Sequence, residues 1–293
     1  MRPDRDRNIA GVDLEDVETL AIELANLAGA EIKAALGGIL KVRYKTGAAE
    51  KDAAKATWQD PVSEVDHKVE ELIRTRLSKH FPDHDIIGEE FEHRPSFGND
   101  FVWAVDPIDG TANFVNGFPM FAASIGVLYQ GQPVVGAIWC SASHALHDGI
   151  YHAALGGKLR FEGSDVTPKI NPDVRRRLAG VPVPTARDAA WETRKTGSAA
   201  IECALVAAGL LQVARFTSPN IWDVAGGLAL VAASGGVAFA QQHERWMPME
   251  RFEAFQRSDG KPDLRYWRRQ IVIGRAEAVD QMIALLPIQA ETY

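Results

Sequence analysis

A layered fold of mixed α and β structure is expected from three observations. Helix-like and strand-like runs alternate along all 293 residues. No segment repeats, and no low-complexity stretch interrupts the alternation. A chain with 46% apolar and 24% charged residues has the make-up of a folded protein that stacks helices on sheets around a sizeable core.

The elements can be taken in order. Residues 14–40 read as a long amphipathic helix, with Leu14, Val17, Leu20, Leu24, Leu27 and Ala28 at spacings of three and four and Gly37-Gly38 weakening its end. Residues 41–59 carry Lys, Ala and Gly without a period and are expected to be a mobile loop. A second helix follows Asp60-Pro61, its buried stripe formed by Val65, Val69, Leu72, Ile73 and Leu77. Three strand-like runs come next, at 85–88, 101–105 and 122–129. The last leads through Gln130-Gly-Gln-Pro133, a turn signal, to a hairpin partner at 134–140. The second half opens with a loop-rich stretch, 156–184. Helices are expected at 198–209 and 221–234, the latter closed by Gly235-Gly236, then strands at 237–240 and 269–274, and a closing helix at 276–286.

Charge and cysteine usage narrow the function classes. Lys+Arg 32 against Asp+Glu 39 gives a net charge of −7, which argues against a nucleic-acid polymer or an anionic membrane as partner. Cys140 and Cys203 lie in apolar segments and make no disulfide framework, which suits a reducing, cytoplasmic compartment. The first residues lack the apolar core of a signal peptide, and no apolar run reaches the length of a membrane span.

Four acidic groupings carry the candidate chemistry: Asp60-Pro-Val-Ser-Glu-Val-Asp66, Gly88-Glu89-Glu90, Asp106-Pro-Ile-Asp109-Gly110-Thr111 and Trp222-Asp223. In the third, an apolar strand runs straight into Asp106, and Pro107 and Gly110 are expected to force a tight turn that returns Asp109 beside it. Two carboxylates on one turn make a site for a hard cation, which takes a few oxygen ligands and keeps waters. The N–H groups of Gly110 and Thr111 can cradle an anion, more so if a helix starts there. Taken singly, Asp-Pro and Asp-Gly are ordinary turn dipeptides, Glu-Glu is ordinary surface, and an acid at a helix start complements the dipole. Their joint occurrence, each beside a buried element, points instead to convergence on one cleft, since a two-metal site needs about that many carboxylates.

The ordered set resembles the inositol monophosphatase family of magnesium-dependent, lithium-sensitive phosphatases. Trp103-Ala-Val-Asp-Pro-Ile-Asp-Gly-Thr-Ala-Asn-Phe114 is similar to its central signature and Ile221-Trp-Asp-Val-Ala-Gly-Gly227 to its C-terminal one; Ile86-Ile-Gly-Glu-Glu90 and 60–66 resemble its N-terminal elements. The resemblance implies an α-β-α-β-α sandwich of the inositol monophosphatase/fructose-1,6-bisphosphatase type. An N-terminal α+β half (1–150) would carry most ligands and a C-terminal α/β half (151–293) the substrate contacts and Asp223. It implies that Glu89, Asp106 and the carbonyl of Ile108 bind one Mg²⁺, that Asp106, Asp109 and Asp223 bind a second, and that Asp66 supports a third, weaker one. Glu89 and Thr111 would orient and help deprotonate a metal-activated water. Asp109, Gly110 and Thr111 would hold the substrate phosphate, Gly197, Ser198 and Ala199 would meet its ester or sugar, and Lys55 would sit in a loop closing over the site. The implied reaction is direct hydrolysis of a small phosphate monoester, first of inositol or another sugar or polyol, by a homodimer.

The pattern departs at Phe216, where inositol-specific relatives carry a glutamate that reaches the sugar hydroxyls. The stretch Ala214-Arg-Phe-Thr-Ser-Pro-Asn-Ile-Trp-Asp223 looks more like the sibling 3′(2′),5′-bisphosphate nucleotidases, with Arg215 pairing a second phosphate and Phe216 stacking on a base. The alternative is that Phe216 is core and Arg215 surface. Asn113-Phe-Val-Asn116 looks more like the monophosphatases. Another class of reading is a regulatory or RNA-associated binding protein with vestigial catalysis, against which stand the full ligand set and the acidic charge. Residues 247–267, with Trp246, Phe252, Phe255, Tyr266 and Trp267 in or beside them, have no counterpart in the resemblance and are read as a flap packed on its own domain or a subunit contact. His144, His147 and His152 lack the further ligands that zinc requires and are read as structural.

Overall fold

The computed structural model describes residues 8–44, 61–91, 99–167, 169, 171–174, 177–256 and 262–286. Two sheets and three helical layers stack as α-β-α-β-α. The first sheet has seven strands in the spatial order Ser164–Asp165, Arg160–Phe161, Gly149–Ala154, Gln132–Cys140, Ala122–Tyr129, Phe101–Asp109 and Asp85–Gly88. All neighbours are antiparallel except the last pair, which runs parallel. The helices Leu14–Ala35 and Glu64–His80 cover its outer face.

The second sheet has six strands, in the order Trp191–Arg194, Arg177–Gly180, Val213–Phe216, Ile271–Gly274, Val237–Gln242 and Arg245–Pro248. The helix Ala276–Leu285 covers its far face, and the helices Ala199–Ala207 and Ile221–Ala233 fill the layer between the sheets. That layer is apolar nearly all round, as an enclosed helix must be. Strand Phe101–Asp109 explains the packing: Val102 and Ala104 face the inter-sheet core, while Phe101, Trp103 and Val105 face the outer helices. Helix Ile221–Ala233 approaches the sheet closely at Gly226, and a Cβ on either Gly126 or Gly136 would collide with the Gly226 backbone.

Several expected elements shift. The first helix stops at Ala35, before Gly37 (φ 78°). Part of the expected loop 41–59 is a strand, Val42–Tyr44, paired with Pro61–Ser63; the remainder, with Lys55 and Asp60, lies outside the described residues. The helix expected at 198–209 runs Ala199–Ala207 between the caps Ser198 and Ala208, and that expected at 221–234 runs Ile221–Ala233 with Ser234 as its C-cap. The boundary expected at 150/151 falls inside strand Gly149–Ala154, and the first sheet continues to Asp165. Strands Arg177–Gly180, Trp191–Arg194 and Val213–Phe216 are additional to the expected elements, each only four residues long.

Candidate active site

The expected turn between Asp106 and Asp109 is not a turn. The strand continues through both acids, and the register slips between them: Asp106 opposes Ser124 and Asp109 opposes Ala122, three residues against two. This bulge, with Pro107 inside it, re-aims the two carboxylates while keeping their backbone in the sheet. The turn comes one residue later. Gly110 has φ 89° and caps the short helix Thr111–Val115, with the Asn113 and Phe114 N–H groups donating to its carbonyl.

Around that strand end the acids of three other elements gather. Glu89 follows the parallel neighbour strand Asp85–Gly88. Asp223 stands in the first turn of helix Ile221–Ala233, in a capping box in which the Asn220 N–H donates to Asp223 Oδ2 at 2.8 Å. Asp66 likewise boxes with Ser63 at the start of its helix; its Oδ2 accepts from the Ser63 N–H (2.8 Å) and hydroxyl (2.6 Å). Its Oδ1 meets the Thr111 hydroxyl at 3.1 Å, and the same hydroxyl lies 2.8 Å from the Ile108 carbonyl.

The electrostatics of this cluster are unfavourable by themselves. Asp106 is 2% exposed, and its Oδ1 has no hydrogen-bond partner. Burial first, then the charges of Glu89, Asp109 and Asp223, pushes its carboxyl well above the ordinary 3.8. Burial also lifts Asp109 to about 6, against the opposing pull of Ser198 and Ala200 as donors, and lifts Asp223 to about 8 with help from Asp109. Asp66 rises to about 6, again chiefly by burial. An orphaned buried oxygen among like charges is the environment a hard cation neutralises, and the donors are the all-oxygen set that magnesium prefers. The residues therefore fit a divalent metal. Among the described residues no three acidic, histidine or cysteine side chains are already closed around one point. Asp109 Oδ2 is turned instead to the Ser198 hydroxyl (2.5 Å) and the Ala200 N–H (2.6 Å).

The second wall comes from the C-terminal half. A Cβ built on Gly110 would lie 3.2 Å from both the Gly197 carbonyl and the Ser198 Cβ, so the two loops touch. Asn113 ties them, its Nδ2 donating to the Thr196 (2.8 Å) and Met120 (2.6 Å) carbonyls. Ser198 caps its helix through the Ile201 N–H, and Ala199 is the first helical residue. Sequence reasoning missed Glu202, a buried acid lifted by burial to about 7 that accepts from the Thr196 N–H and hydroxyl and so shapes this loop. An acid three residues into a helix is the one signal that could have drawn attention to it.

Other expected residues stand elsewhere. Phe216 is buried in the inter-sheet core, on the same face of its strand as Ala214. Arg215 points to the opposite face with Val213, where Nη2 donates to the Val183 carbonyl at 3.0 Å and lies 3.7 Å from Asp188 Oδ2. The pairing of Arg215 with a phosphate and the stacking of Phe216 on a base are therefore corrected: one residue is held by an internal acid and the other by core packing. Arg215 is not at the surface either, being 7% exposed. Glu90 turns from the cluster to His67, 3.4 Å away. The three histidines serve structure: His152 meets buried Glu18 at 2.7 Å, His144 the Tyr151 hydroxyl at 2.5 Å, and His147 the Asp148 carbonyl at 2.6 Å.

Comparison with known proteins bears on the family and the fold. The family model described as "Inositol monophosphatase family" matches residues 13–264. A "Fructose-1,6-bisphosphatase/inositol-1-monophosphatase" of Aquifex aeolicus is 32% identical over 224 residues, 71% of this chain and 83% of that protein. An "Inositol-1-monophosphatase" of Synechocystis is 29% identical over 243 residues, 78% of this chain and 80% of its own. Among solved structures, an inositol monophosphatase of Thermotoga maritima superposes with a TM-score of 0.69 at 23% identity, covering 92% of this chain and 98% of that one, which speaks to the fold.

Proposed function

The chain belongs to the inositol monophosphatase family, a family of metal-dependent phosphatases, and on that footing we propose that it hydrolyses phosphate monoesters of inositol or of other small sugars and polyols, with Mg²⁺. The observation that carries the reading is the buried, unpartnered Asp106 oxygen among Glu89, Asp109 and Asp223. Asp106, Glu89 and the Ile108 carbonyl would hold one Mg²⁺, Asp106 with Asp109 and Asp223 a second, and Asp66 a third, weaker one. When bound, magnesium supplies positive charge for the phosphoryl oxygens and leaving alkoxide and acidifies the attacking water.

The chain's own groups do the rest. The Thr111 hydroxyl, fixed between Asp66 and the Ile108 carbonyl, offers a lone pair that orients the water for in-line attack. Glu89 and Thr111 would orient that water and help take its proton, and Asp66, its carboxyl lifted by burial to about 6 when no metal is bound, would steady the Thr111 hydroxyl at 3.1 Å. The Gly110 and Thr111 N–H groups face the phosphate, and Gly197 and Ser198 form the wall against the ester. No covalent phospho-enzyme is needed. The family resemblance further supports a lithium-sensitive homodimer, and two buried free cysteines suit the cytoplasm; among the described residues no helix is long and apolar enough to cross a membrane.

The name of the Aquifex relative joins two activities on such esters, which supports a range of sugar and polyol substrates, while Phe216, buried in the core, leaves the choice among them to other residues. The test is phosphate release from inositol 1-phosphate, fructose 1,6-bisphosphate and adenosine 3′,5′-bisphosphate at equal concentration with Mg²⁺. The polyol and sugar esters should be fastest. Fastest release from the nucleotide would overturn the substrate assignment.

A further inference from the structure

The aromatic segment 247–267 does not stand outside the family pattern as expected, since all but its last three residues fall within the family match ending at residue 264; it reaches the acidic cluster through Arg265. Its start is pinned by the Phe252 N–H, which donates to the Gly131 carbonyl at 2.8 Å. The buried Phe252 and Trp267 rings meet edge to face, 4.8 Å between centroids. Between them Asp263 caps a 3₁₀ turn, Leu264–Tyr266, by accepting from the Arg265 N–H at 2.9 Å. That turn aims the Arg265 side chain inward. Its Nη1 donates to the Gly88 carbonyl at 2.5 Å and, more weakly, to that of Phe91 at 3.4 Å; its Nη2 donates to the Glu89 carbonyl at 3.2 Å. The same guanidinium lies 4.9 Å over the ring of Trp222, the residue before Asp223.

Arg265 thus spans two elements that supply acids to the cluster: the end of the first sheet's parallel strand and the first turn of the inter-sheet helix. From the opposite side Glu70 accepts from the N–H groups of Glu90 (2.7 Å) and Phe91 (3.3 Å), and Arg74 donates to the Phe91 carbonyl at 3.3 Å. The backbone at Glu89 is therefore fixed by two side chains of the helix Glu64–His80 and by the turn that carries Arg265. A planar fork suits this task, because one side chain donates to several carbonyls and stacks on an indole at once; an ammonium cannot.

We propose that Arg265 is a positioning residue, delivered by the aromatic segment 247–267, that holds Glu89 in register with Asp223 and thereby sets the affinity for divalent cations. The inference rests on the metal-site reading above. It has a sign that distinguishes it from simple electrostatics. If Arg265 were only a nearby positive charge, removing it would tighten cation binding; if it preorganises the ligands, removing it loosens binding, by the ten- to hundredfold typical of groups that orient metal ligands.

The experiment is Mn²⁺ binding to the full chain without substrate, read from the EPR signal of free Mn²⁺, with phosphate release at saturating metal measured in parallel. Arg265→Ala should weaken binding at least tenfold while turnover at saturating Mn²⁺ stays within about threefold of the parent. Arg265→Lys, which keeps the charge and loses the fork, should weaken it comparably, and it serves as the reading if the alanine variant does not fold. Arg269→Ala is the control: Arg269 packs on Phe255 and pairs with Glu253 at 3.1 Å in the same segment, and it should change binding less than twofold. Unchanged or tighter binding in the Arg265 variants overturns the proposal, as does equal weakening by Arg269→Ala. Glu89→Gln keeps the two failures apart, because binding unaffected by that change would sink the metal site itself.

Discussion

Replacing Asp106 by Asn should strengthen the fold and destroy the function. In the absence of divalent metal, at pH 8, the Asp106 carboxyl is buried with one oxygen unpartnered and faces Glu89, Asp109 and Asp223. Keeping such a group costs up to about 1.4 kcal/mol for each pH unit by which its folded value exceeds the ordinary 3.8. The amide removes the charge at the same volume but brings N–H donors that must find acceptors, a cost of about 1–3 kcal/mol if they fail. The net expectation is a gain in stability, which at about 2–4 °C per kcal/mol for a chain of this size is read as a raised melting point in EDTA. The difference between the two proteins should shrink as pH falls, because a carboxyl raised by burial and like charges sheds its penalty as it takes up a proton. With Mg²⁺ the order reverses, since only the parent gains stability by binding. Thermal melts at pH 5 and 8, with EDTA or Mg²⁺, read all of this, and phosphate release gives the activity. A variant less stable than the parent in EDTA at pH 8, or one that keeps metal-dependent turnover, would refute the reasoning.

Three further outcomes follow from the same coordinates. In EDTA the parent should lose stability as pH rises from about 5 to 8, because Asp66 and Asp109 (each about 6) and Asp223 (about 8) hold protons that the unfolded chain has released; Mg²⁺ should flatten that slope in thermal melts. Phe216→Glu should lower stability by about 2–4 kcal/mol through a charge placed in the inter-sheet core, with an unchanged substrate profile; denaturant titration checks the first, and a shift toward inositol phosphate would contradict the burial of the ring. Ser198→Ala removes both a helix cap and the hydroxyl on Asp109, so urea unfolding should show a loss of about 1–2 kcal/mol and phosphate release a reduced rate, whereas an unaltered rate would free Asp109 from that contact.

What could be read from sequence depended on how local the cause is. Asp106, Asp109 and Gly110 were readable because an apolar strand and a breaker lie next to them in the chain, although the bulge that aims the two acids is set by pairing with Ala122–Tyr129 and was mistaken for a turn. Asp223 and Asp66 were readable because each sits three residues from its cap. Phe216 and Arg215 were not. Their faces are fixed by a four-residue strand whose neighbours, Ile271–Gly274 and Arg177–Gly180, are remote in sequence, and the partner that claims Arg215 is Asp188 on a separate turn. Arg265 was invisible for the same reason: its acceptors are backbone carbonyls, which leave no mark on residue type.

The most direct test of the account is release of phosphate from inositol 1-phosphate as Mg²⁺ is titrated into metal-stripped protein, with Asp106→Asn alongside. Release should be absent in EDTA, rise to saturation with Mg²⁺, and stay absent in the variant. Turnover that ignores Mg²⁺, or that survives in Asp106→Asn, would contradict the claim that the acidic cluster is a metal-dependent phosphatase centre.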